Sequence, residues 1–93
     1  MLTAIVHIRL TPELITQAAQ QITEIHGVSN VYSVTGDVDV IAVVKVQNHE
    51  AFASVIPNGI AKIAGVLETK TYLAFEEYSK NDIALAYDLG LEN

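Results

Sequence analysis

The sequence predicts an α+β fold in the order βαββαβ, and three observations support it. Its 93 residues are 51% hydrophobic, which suits one domain with a single core. Two segments with apolar residues at helical spacing each follow a β-rich segment and end at a glycine. The two halves also match without gaps, so that Gly27 aligns with Gly65, strand with strand and helix with helix.

The first half of the chain predicts a strand, a helix and a second strand. Residues 3–10 alternate and are rich in β-branched side chains, which is typical of a strand. Residues 11–13 (Thr-Pro-Glu) indicate a helix start, with a capping residue, a proline in the first turn and a favourable acidic group. An apolar stripe follows, and Gly27 ends the helix. Residues 28–35 are predicted as strand 2.

The second half repeats this pattern after a tight turn. Gly36-Asp37 between two β-rich segments predicts a two-residue hairpin that leads into strand 3, residues 38–46. Asn48 is placed to cap the second helix, and residues 57–59 (Pro-Asn-Gly) are expected to kink or divide it. Strand 4 is expected over residues 66 to about 78.

A duplicated split βαβ unit of this kind folds as a ferredoxin-like sandwich, in which both helices lie on one face of a four-stranded antiparallel sheet. Strands 1 and 3 are then central. Strand 3 is apolar on both sides, and the helices cover only one of them. We therefore expect the other face to pack on a second subunit, as in a dimeric α+β barrel. Ile41, Val43 and His7 are predicted to lie in that dimer interface.

Composition excludes several classes of function. The chain has no cysteine, no apolar run of the roughly 18 residues that span a membrane, and no signal-peptide pattern, so we expect a cytoplasmic protein with no membrane contact. A net charge of −6 argues against direct binding of nucleic acid. No nucleophile motif, phosphate-binding loop or metal-ligand spacing is present, so we predict no catalytic residues, no metal and no cofactor.

Two segments carry a resemblance to a known family. They are Val31-Tyr32-Ser33-Val34-Thr35-Gly36-Asp37-Val38-Asp39 and Ile60-x-x-Ile63-x-Gly65-Val66-x-x-Thr69-x-Thr71. The first resembles the hairpin of the Lrp/AsnC regulators, and the second resembles the junction of helix 2 and strand 4 in the same family. Together they are similar to its C-terminal effector-binding (RAM) domain, over residues 2–76.

This resemblance implies a homodimer that assembles further, and a small effector, usually an amino acid, bound between dimers near the hairpin. Full-length members carry a helix-turn-helix that binds DNA, whereas this sequence begins at strand 1. We therefore expect a stand-alone RAM-like domain over residues 1–78 that acts on transcription indirectly, through a full-length Lrp/AsnC-type regulator or by competing for effector. Residues 79–93 are expected to form an extension with a weak helical pattern.

The candidate ligand-binding residues cluster around the hairpin and on strand 4. Asp39 is expected on the side of Ile41 and Val43, where an unpaired carboxylate is costly, so it is a candidate for the ammonium group of an effector. Gly36 leaves its backbone open to a ligand. The other candidates are Tyr32, Thr35 and Asp37 near the hairpin, and Thr69 and Thr71, whose hydroxyls could meet a carboxylate.

Each candidate also has a structural interpretation. Asp37 suits a turn, the threonines suit a strand, and Tyr32 suits the edge of a core. The acidic pair Glu76-Glu77 is interpreted as a solvated strand end.

Two other functions remain open at this stage. Small enzymes share this architecture and would need a pocket between helices and sheet within one subunit. A ligand-free oligomerisation module that docks on a full-length regulator would instead pair Asp39 with a cation such as Lys45, Arg9 or Lys70.

Overall fold

The computed structural model describes residues 1–80 and confirms the ferredoxin-like α+β fold. The strands are β1 (Leu2–Leu10), β2 (Val28–Ser33), β3 (Val40–Val46) and β4 (Val66–Leu73). The helices are α1 (Ile15–Thr23) and α2 (His49–Val55), with short 3₁₀ turns at Pro12–Leu14 and Ile60–Lys62. All strand pairs are antiparallel in the spatial order β2-β3-β1-β4, which places β1 and β3 at the centre as predicted.

The core lies between the sheet and the helices. Alternate residues of β1 and β3 point towards the helices and are buried, as the period of two along a strand requires. The helical side contributes Ala18, Ile22, Val55, Ile56 and Ile60 to the same cluster. No helix within residues 1–80 is both long and apolar enough to cross a membrane.

The internal repeat is visible in the backbone. Gly27 and Gly65, which align in the sequence, both have positive φ, at 105° and 98°. Each of them is the third residue of the same kind of turn, because the N–H of Val28 donates to the carbonyl of Ile25 and the N–H of Val66 donates to the carbonyl of Ile63, both at 3.1 Å. The two halves therefore end their helices and begin their next strands in the same way.

The repeat also relates the two central strands. In the β1–β3 register Ala4 pairs with Val44, Val6 pairs with Ala42, and Ile5 pairs with Val43 between them. Exchanging each residue for its counterpart in the other half converts the first of these pairs into the second and converts the Ile5–Val43 pair into itself. A pseudo-two-fold axis therefore passes through the sheet at the Ile5–Val43 pair.

The helix starts differ in how their first N–H groups are satisfied. The side chain of Asn48 accepts a hydrogen bond from the N–H of Ala51 at 3.0 Å, which confirms the predicted cap of α2. Thr11 makes no side-chain cap bond; its carbonyl accepts from the N–H of Leu14 instead. The predicted interruption at residues 57–59 is confirmed, because α2 ends at Val55 and a separate turn begins at Ile60.

The prediction of a two-residue hairpin is wrong. β2 ends at Ser33 and β3 begins at Val40, and the N–H of Val34 donates to the carbonyl of Asp39 across the intervening loop. The N–H of Asp39 donates to the carbonyl of Ile8 on β1 at 3.0 Å. These two bonds hold Asp39 against Val34 and against β1, and the chain between Val34 and Asp39 forms a longer loop than the predicted two-residue turn.

β4 is shorter than predicted. It ends at Leu73, and the N–H of Ala74 makes a final bond to the carbonyl of Thr3 at 2.9 Å. Leu2 of β1 still pairs with Val46 of β3, but no residue of β4 pairs with it, so the chain leaves the edge of β1 after Ala74. Phe75, which the sequence placed on strand 4, therefore lies outside the sheet. The helical pattern predicted within residues 79–93 lies outside the described residues from position 81 onwards.

Candidate functional site

The face of the sheet opposite the helices, here called the open face, carries the residues predicted for the dimer interface. One row across the four strands consists of Tyr32, Ile41, His7 and Lys70, and the next consists of Asn30, Val43, Ile5 and Tyr72. His7, Ile41 and Val43 are therefore neighbours on the two central strands. All three are only partly buried, because neither helix covers this side.

The open face has an apolar and aromatic centre with charged groups towards its ends. The rings of His7 and Tyr72 lie 5.1 Å apart in a tilted arrangement. Arg9 pairs with Glu68 on the neighbouring strand at 3.3 Å. At the other end Lys45 lies 3.7 Å from Glu77. An apolar centre with a polar rim is the usual composition of a protein interface.

The loop between β2 and β3 presents three of the predicted ligand-binding residues. Thr35, Gly36 and Asp37 are all exposed. Gly36 has φ +130°, a region that favours glycine, and a Cβ at this position would have no atom within 4 Å. The backbone at the loop tip is therefore open to a molecule that approaches from solvent.

Asp39 has a structural partner. One oxygen of its partly buried carboxylate, Oδ2, accepts a hydrogen bond from the N–H of Leu10 at 2.8 Å. This N–H lies where the β1–β4 register shifts, between Arg9 and Leu10. Because the ion pairs of Arg9 and Lys45 are with Glu68 and Glu77, neither is the partner of Asp39 in the described part of the chain.

Thr69 and Thr71 lie on β4, and β1 separates this strand from β3 and the hairpin loop. Thr69 is in register with Ile8 and Thr71 with Val6, so both hydroxyls are on the helix side of β4. Tyr32 is on the open face of β2, at the opposite edge of the sheet. A single subunit therefore does not bring the seven predicted ligand-binding residues into one pocket.

Two clefts on the described residues are lined by other groups. The larger, of about 860 Å³, lies between the ends of α1 and β3 and the start of α2. Its titratable side chains are His26 and Lys45, and no carboxylate of residues 1–80 lines it. An enzyme of this architecture would need such a cavity, and here its titratable lining within residues 1–80 is one histidine and one lysine.

The smaller cleft, of about 360 Å³, lies on the open face beneath residues 74–78. Val43 and Lys45 form part of its floor, and Glu76, Glu77 and Tyr78 form part of its wall. The sequence predicts that both glutamates are solvated, and it does not predict the ion pair of Glu77 with Lys45. These residues are more than 30 positions apart, and only the course of the chain after β4 brings them together.

The search for a metal site gives no candidate in the described part of the chain. Among residues 1–80, no three His, Cys, Asp or Glu side chains are grouped so that they could hold a metal ion. Several of the carboxylates have protein partners, among them Asp39 in its hydrogen bond with Leu10, and Glu68 and Glu77 in the ion pairs of the open face.

Comparison with known proteins gives a family match over most of the chain. The sequence model of the Lrp/AsnC ligand binding domain matches residues 3–83. No curated protein matches the chain.

Solved structures agree with this match. A protein of Thermus thermophilus is 38% identical, with a TM-score of 0.81 over 86% of this chain and 100% of that chain. The E. coli AsnC structure has a TM-score of 0.78 at 19% identity and shares the fold, and the chain covers 53% of its length. The feast or famine regulatory protein of M. tuberculosis, solved in complex with L-methionine, is 27% identical with a TM-score of 0.71, over 86% of this chain and 54% of that chain.

Proposed function

The chain belongs to the family of Lrp/AsnC ligand-binding domains, and from this premise we propose that it is a cytoplasmic, non-enzymatic regulatory domain that binds a small effector. The effector is an amino acid held between dimers, and the homodimer forms through the open face of the sheet. Its effect on transcription is indirect, through a full-length regulator of the same family. The methionine complex of the M. tuberculosis protein supports an amino acid as the effector.

The observation that carries the proposal is the apolar centre of the open face, which neither α1 nor α2 covers. Ile5, Ile41 and Val43 lie side by side on the central strands, and all three are only partly buried. Apolar surface of this kind is stabilised when a second subunit removes it from water. A two-fold homodimer is the simplest closed assembly that covers it.

The positions of the predicted binding residues support an effector site between subunits. The hairpin group (Tyr32, Thr35, Gly36 and Asp37) and the β4 group (Thr69 and Thr71) lie at opposite edges of one sheet. A ligand that meets both groups must therefore lie where the hairpin of one subunit approaches β4 of another. In this proposal Asp37 and the free oxygen of Asp39 receive the ammonium group, and the threonine hydroxyls receive the carboxylate.

Thermal unfolding of the purified protein with each of the twenty amino acids, with light scattering in parallel, tests the proposal. A ligand that binds only the folded state stabilises it by about 2.7 kcal/mol at 100 times its Kd. For a domain of this size that raises the midpoint by on the order of 10 °C. We expect one or a few amino acids to raise the midpoint and to change the size distribution.

Matched variants locate the site. Asp37→Asn and Thr71→Val should abolish the ligand-induced shift, because each removes a proposed ligand group at an exposed position. Glu24→Gln, which makes the same charge change at the exposed end of α1, should leave the shift unchanged. If no amino acid raises the midpoint and the assembly has one fixed size, the amino-acid effector is excluded and the ligand-free oligomerisation module is favoured.

A further inference from the structure

After β4 the chain turns onto the open face of its own sheet. Residues 74–78, here called the strap, begin at the bond between the N–H of Ala74 and the carbonyl of Thr3. The carboxylate of Glu77 then lies 3.7 Å from the ammonium group of Lys45 on β3. The strap therefore crosses from the β4 edge towards the middle of the sheet.

Within residues 1–80, the side chain of Phe75 is not buried against any other group. Ala74, Glu76, Glu77 and Tyr78 all line the cleft between strap and sheet, whereas Phe75 does not and is fully exposed. Tyr78 is 85% exposed, although its hydroxyl donates to a carboxylate oxygen of Glu76 at 2.9 Å. Aromatic side chains are enriched at binding surfaces, where a few residues supply most of the binding energy.

We propose that the strap binds a second copy of this chain, with Phe75 as its main anchor on the open face of that copy. The inference rests on the proposed dimer and adds a surface to it. Because the strap lies on the open face, a second sheet that packs there must meet it. Phe75, the one strap residue outside the cleft, is then the residue available to that sheet.

The charge of the strap favours this occupant over others. The local charge of Glu76 and Glu77 would repel nucleic acid or an anionic membrane surface. An exposed aromatic side chain of the strap is stabilised when it is buried against the apolar centre of the open face of a second copy. The two-fold symmetry of a dimer would use the contact twice.

The experiment measures the dimer dissociation constant of the full chain by sedimentation equilibrium. Phe75→Ser is compared with Leu67→Ser, which removes an exposed apolar side chain from β4 outside the strap. Val43→Asp tests the open face itself. Because a dimer would contain two Phe75 anchors, Phe75→Ser should raise the constant at least ~100-fold. Leu67→Ser should change the dissociation constant by less than about threefold, because a tenfold change would need a loss of about 1.4 kcal/mol of binding free energy.

The outcomes separate the strap from the dimer. If Val43→Asp weakens the dimer while Phe75→Ser changes the constant no more than Leu67→Ser does, the strap proposal is overturned and the dimer stands. If the wild-type protein is a monomer at every concentration, both are overturned. Circular dichroism of the Phe75→Ser monomer should match the wild type, because Phe75 is fully exposed in the single subunit.

Discussion

Removing the carboxylate of Asp39 should destabilise the fold, whether or not an effector binds. Its Oδ2 accepts the N–H of Leu10 at 2.8 Å in a partly buried position, where the β1–β4 register shifts. Hydrogen bonds to charged groups contribute about 1.5–3 kcal/mol, and an unsatisfied buried donor costs about 1–3 kcal/mol. We expect Asp39→Ala to lower the free energy of unfolding by about 2 kcal/mol. Asp39→Asn, which keeps a neutral acceptor, should cost about half as much.

Urea denaturation at one fixed protein concentration measures both variants, because dimer formation would add a concentration-dependent contribution. Asp37→Ala is the matched control: it removes the same charge two residues away, at an exposed loop position. Amide hydrogen exchange gives a local measurement, since the N–H of Leu10 should lose protection in Asp39→Ala. If Asp39→Ala and Asp37→Ala differ by less than about 0.5 kcal/mol, the structural role of Asp39 is refuted.

Substitutions at four further positions test the local arguments by urea denaturation. Gly36→Ala should cost about 1–3 kcal/mol, because φ +130° is strained for any residue with a Cβ even in open space; an unchanged midpoint would refute that backbone geometry. Ile60→Ala should cost about 2–5 kcal/mol, as a fully buried core residue, and a smaller loss would mean that the core closes around the gap. Asn48→Ala should cost about 1 kcal/mol through the lost cap of α2, whereas Asn48→Gly should cost only a few tenths. Arg9→Gln should stay within about 0.5 kcal/mol, because its ion pair with Glu68 is exposed.

The features that the sequence predicted correctly depend on nearby residues. Asn48 caps a helix three residues away, and residues 57–59 interrupt the same helix through proline and glycine. The aligned glycines marked where each helix gives way to a strand. The strand order followed because a duplicated βαβ unit allows few topologies.

The features that it missed depend on distant residues. The hairpin loop is long because Asp39 bonds to β1, about 30 positions earlier in the chain. β4 stops at Leu73 because the chain then turns onto the open face, where Glu77 pairs with Lys45 on β3. Alternation along strand 4 predicts that Thr69 and Thr71 lie on the same face of the sheet. Only the register with β1 shows that this is the helix side. Local patterns contain no information about such pairings.

The pseudo-two-fold axis at Ile5 and Val43 has a consequence for how a partner would recognise the open face. A surface with this symmetry offers a second sheet two orientations related by half a turn. Ile5 and Val43 exchange places between these two orientations, so apolar contacts with this pair do not distinguish one orientation from the other. His7 and Lys45 also occupy matched positions, but they are chemically different. In the proposed dimer, the residues that the two halves share would stabilise the contact between the sheets, and the differing pair, His7 and Lys45, would determine how one sheet is oriented on the other.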